Sequence, residues 1–67
     1  MNYIIIEAQT SNGTTAIVTP AVYSDTVEAE AVFLEKCAAA RRSGLDVHSV
    51  TLLDEEGSVK AHKVYKK

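Results

Sequence analysis

"VEAEAVFLEKCAAA", residues 27–40, reads as a helix with two apolar stripes rather than one. At 100° per residue, Ala29, Phe33, Cys37 and Ala40 align along one side, and Val27, Ala31, Leu34 and Ala38 along a second side roughly 120° away. A single small sheet covers one stripe. Phe33 is the largest side chain in either set, so the first stripe is expected in the core and the second at the flank or in the open.

The helix ends are marked on both sides. Asp25 followed by Glu28 matches a capping box, acidic residues crowd the first turns, and Lys36, Arg41 and Arg42 occupy the last. Gly44 suits a left-handed stop. The helix is therefore expected over residues 25–42.

Upstream, "YIIIEAQ" (residues 3–9) and "TAIVT" (15–19) are rich in β-branched residues and flank Asn12-Gly13, which tolerate positive φ. This predicts a hairpin, with Thr10 opposite Thr14, Ala8 opposite Ala16 and Ile6 opposite Val18. Pro20 lacks the N–H that a ladder needs and should end or kink the second strand. Downstream, "DVHSVTLL" and "SVKAHKVY" flank Asp54-Glu55-Glu56-Gly57, which reads as a type I turn closed by a glycine bulge, with Asp54 opposite Ser58. The last residues, "VYKK", are expected to fray.

The order is thus ββαββ in one domain spanning residues 1–67. The expected fold class is α+β, a four-stranded antiparallel sheet of order 2-1-3-4 with one helix packed on one face. Order 1-2-3-4 is the alternative.

Composition narrows the function classes. A hydrophobic fraction of 46% with 24% charged residues is that of a folded soluble domain. No apolar run reaches the roughly 18 residues of a membrane span, and "MNYIII" has neither a basic leader nor a small-residue cleavage site, so no membrane and an intracellular setting are expected. A net charge of −2 gives no general attraction to polyanions. With 67 residues and a single cysteine there is no internal disulfide, and a core of this size supplies only about 3–5 kcal/mol. Association is the remaining source of stability.

Both sheet faces carry apolar residues, and one helix covers one of them. Tyr3, Ile5 and Ile17, with Val27, Ala31 and Leu34 of the helix, are the expected interface, and a second copy of the chain is the expected occupant.

Little in the sequence points to chemistry. Cys37, mid-helix among alanines, is read as a small core hydrophobe. Asp46 and His48 share a strand face and read as an exposed pair, while Ser49 points away, so the three make no hydrolase triad. His48 and His62 could approach diagonally across the second hairpin, but two imidazoles make a poor metal site. No metal, cofactor or catalytic residue is expected, and the protein is read as a non-enzyme. The alternative function is nucleic-acid binding through the basic last strand, with Lys60, His62, Lys63, Tyr65, Lys66 and Lys67 contacting phosphates and a base. Lysines along an edge strand also serve simply to discourage aggregation.

Taken over the whole chain, "YIIIEAQTSNGTTAIVTPAVYSDTVEAEAVF", the "AAA" of the helix end and "VHSVTLLDEEG" resemble a family of short uncharacterised ββαββ proteins encoded in phages and prophages. The resemblance implies a phage context, beside virion structure or assembly, with a phage protein as an alternative partner. It implies a location in the bacterial cytoplasm or the virion, and no catalytic residues.

Overall fold

Asn12 (φ 52°) and Gly13 (φ 79°) form a two-residue turn between Tyr3–Ser11 (β1) and Thr14–Ile17 (β2), with Ser11 opposite Thr14. Positive φ at both central residues matches the natural twist of the flanking strands. The computed structural model describes residues 1–67. The expected register required a three-residue loop and is corrected by one position, to Thr10 opposite Thr15, Gln9 opposite Ala16 and Ala8 opposite Ile17. A one-residue slip exchanges faces, so Ile17 lies on the side of Ala8, away from Ile5.

Val18 still donates to the Glu7 carbonyl at 3.0 Å, but the strand stops before Pro20. Ala21–Tyr23 (β3) then rejoins β1, with Tyr23 opposite Tyr3 and Ala21 opposite Ile5. The proline thus divides the expected second strand in two, and the antiparallel sheet has five strands rather than four. Its order is β2-β1-β4-β5, with β3 also paired to β1.

Thr26–Arg42 forms the helix (α1), one residue shorter at its start than expected because Asp25 is its cap. The Asp25 carboxylate accepts from the Glu28 N–H at 3.3 Å. At the other end Ser43 N–H donates to the Ala40 carbonyl and Gly44 turns the chain at φ 70°. Val47–Asp54 (β4) lies beside β1, and Val59–Lys66 (β5) beside β4. Between them Gly57 N–H donates to the Asp54 carbonyl and Asp54 N–H to that of Ser58, both at 3.0 Å, which is the expected turn with its glycine bulge. The "VYKK" end, expected to be loose, is paired: β5 runs through Lys66, and Lys67 N–H donates to the Asp46 carbonyl.

The helix lays its first stripe on the sheet as expected. Ala29, Phe33, Cys37 and Ala40 pack with Ile5, Val50 and Leu52 into a seven-residue core. Val27 and Leu34 of the second stripe remain 74% and 65% exposed.

Candidate functional site

Side chains alternate between the two faces of a strand, and directly paired residues share a face. Because Ile5, Val50 and Leu52 lie beneath the helix, Ile4, Ile6 and Ala8 point to the uncovered side. Their partners point with them: Val22 and Leu53 beside Ile4, Thr51 beside Ile6, and Ile17 and Ser49 beside Ala8. Val59 opposite Leu53 and Val64 opposite Ser49 extend the face onto β5. Ile17, Val22 and Val59 are each at least 60% exposed. The polar groups on this side are mainly hydroxyls paired within it: Thr10 with Thr15, and Thr51 Oγ1 with His62 Nδ1, both at 2.8 Å. His62 and Lys66, on β5, are its basic members.

The expected interface is therefore corrected at two positions. Ile5 is buried at 2% exposure, and Tyr3 packs against the core while its hydroxyl accepts from Thr26 Oγ1 at 3.1 Å. Ile17, Val27, Ala31 and Leu34 are exposed as expected, the first on the open sheet face and the others on the helix.

Polar groups help to decide which sheet face the helix takes. Glu7 and His48 sit on the covered side, with His48 Nε2 3.2 Å from Glu7 Oε1. Lys36 reaches down from the helix to Glu7 Oε2 at 2.9 Å, and Ser43 Oγ lies 3.2 Å from His48 Nδ1. Burial pushes the Glu7 carboxyl up, but hydrogen bonds and charge from Lys36 and His48 outweigh it and hold the group below its ordinary 4.5. His48 is thus buried, at 4% exposure, and is not half of an exposed pair with Asp46. Asp46 instead accepts from the Asn12 N–H at 2.9 Å. Glu7 is the residue that the reading of the sequence missed; an isolated acid within an apolar strand was the available signal.

Ser43, His48 and Glu7 follow one another in the order of a hydrolytic relay, yet their setting opposes that chemistry. Ser43 lies at the helix C-terminus, whose negative dipole end would repel a developing oxyanion. Its hydroxyl is also within 2.8 Å of the Ala40 carbonyl. The one cavity, about 350 Å³, is lined by Tyr3, Thr26, Ala29, Glu30, Leu52 and Lys60. It lies toward the other end of the helix, where its helical residues Thr26, Ala29 and Glu30 are about 20–25 Å from Ser43 at 1.5 Å per residue. What the relay does is fasten the end of α1 to β1 and β4.

The basic strand is divided. His62 and Lys66 belong to the open face, whereas Lys63 lies opposite buried Val50 and Tyr65 opposite buried His48. The Tyr65 ring packs against the core, so it is not free to stack a base. Lys60 lies 3.5 Å from Asp54, whose carboxyl is held below its usual range chiefly by the Ser58 N–H. His48 and His62 lie on opposite faces, which corrects their expected approach. No group of three or more His, Cys, Asp or Glu side chains is placed to hold a metal ion. Cys37 is a core residue as expected; burial pushes its thiol up against smaller downward pulls from Tyr65 and Lys63.

Comparison with protein-family models, curated proteins and solved structures finds no match. No helix is long and apolar enough to cross a membrane.

Proposed function

We propose that this protein is a small non-enzymatic interaction protein that self-associates through the apolar surface its single helix leaves uncovered. The observation that carries this reading is the open side of the sheet, where Ile4, Ile6, Ala8, Ile17, Val22, Val47, Leu53, Val59 and Val64 lie on one continuous face. Monomers rarely leave apolar patches of several hundred Å² without a binding role. At roughly 25 cal/mol per Å² of apolar area, covering it contributes several kcal/mol, comparable to the stability of so small a core.

A phage or prophage setting belongs to the same proposal. An assembly or virion component needs surface for contact and no active site. Sedimentation velocity across the micromolar range tests the reading: concentration-dependent dimerisation is expected, and a folded monomer throughout would overturn it.

A further inference from the structure

We infer that two copies meet open sheet face to open sheet face, with both helices outermost, as a four-layer sandwich. This rests on the self-association just proposed and specifies its mode. Three surfaces could join the copies: the open face, an edge of the sheet, or the exposed helix stripe.

The edges are poorly suited. On one side Pro20 interrupts the rim, leaving four residues of β2 and three of β3 rather than one continuous row of N–H and C=O groups. On the other, β5 carries Lys60, Lys63 and Lys66, so pairing it with its own copy would set ammonium groups against each other. The helix stripe is narrow, with Val27 and Leu34 its only large side chains.

The open face has the area. The molecule spans 37 × 19 × 16 Å. The two longer dimensions enclose a rectangle of about 700 Å², an upper bound for one side of the molecule that is of the same order as the roughly 800 Å² per partner of a standard stable interface. It also holds no carboxylate, its hydroxyls are mostly paired within the sheet, and its two basic members, His62 and Lys66, both lie on the border strand β5, so the polar desolvation that opposes burial is confined to that border. A twofold axis along the strands lays β5 over β2 and β3 of the other copy, which keeps the two basic borders apart.

Two measurements test the mode. The first is the dimer dissociation constant of the pair Ile17→Glu and Val22→Glu, and separately of Leu34→Glu, all at exposed positions that a folded monomer tolerates. The double variant is expected to weaken dimerisation at least about 30-fold and the helix variant by less than about threefold.

The second uses nitroxide labels on Thr51→Cys, Lys63→Cys or Leu34→Cys in a Cys37→Ala background. Sheets stack about 10 Å apart, so the label at position 51 should give the shortest distance between subunits. A dimer whose shortest distance is at position 63 or 34, or which Leu34→Glu abolishes, overturns the sandwich and leaves self-association standing. A wild-type protein that stays monomeric overturns both.

Discussion

His48 and Glu7, 41 positions apart in the chain, meet at 3.2 Å beneath the last turns of the helix. The contact joins β4 to β1, and Lys36 and Ser43 extend it to α1. Removing the carboxylate leaves an imidazole and an ammonium without their shared partner. Glu7→Ala should therefore cost about 2–3 kcal/mol, a large part of what this core supplies, measurable by urea unfolding.

The same carboxylate makes stability depend on pH. Its folded value lies below 4.5, so the unfolded chain binds the proton more tightly. The contribution is complete above about pH 5 and is lost as pH falls through the depressed folded value. Acid titration followed by circular dichroism should show wild-type stability dropping below that point, with a shallower slope in Glu7→Ala.

Adjacent helix residues should respond very differently. Phe33 is buried in the core while Leu34 is 65% exposed. Phe33→Ala is expected to cost about 3–5 kcal/mol and unfold most of the population, whereas Leu34→Ala should stay within about 0.5 kcal/mol. Thermal melts of the two variants decide this.

Gly57 offers a purely backbone test. Its φ is 85°, and a Cβ added there would meet nothing within 4 Å. Gly57→Ala should cost about 1–2 kcal/mol from the left-handed conformation alone, without altering the core. An unchanged melting temperature would mean that the turn relaxes.

Cys37 should resist thiol reagents in the folded protein. It is buried, and burial raises its thiol above the ordinary 9.0, so the reactive thiolate is scarce. Labelling by a disulfide reagent should proceed through unfolding and accelerate with urea.

Local signals in the chain made much of the fold legible. Asp25 and Gly44 bracketed the helix, Asp54–Gly57 specified the second turn, and Phe33 identified the buried stripe. Beside the extra strand β3 and the paired C-terminal end, two features that escaped bear on the candidate surface. The hairpin register depended on whether Asn12-Gly13 formed the loop alone or with Ser11, a choice set by strand twist rather than composition. The covered sheet face depended partly on Glu7, Lys36, His48 and Ser43 converging from separate elements, which no local pattern displays. Those two points together moved the candidate surface from the side of Ile5 to the side of Ile4.

Pro20 has a dynamic consequence. Because it severs the border of the sheet, an opening that starts at the Asn12-Gly13 tip is expected to run down β2 and halt there, while β3 is joined through Ser24 to the helix start. Amide protons of the two pieces should therefore exchange on separate clocks, and the hairpin tip can breathe without loosening the helix.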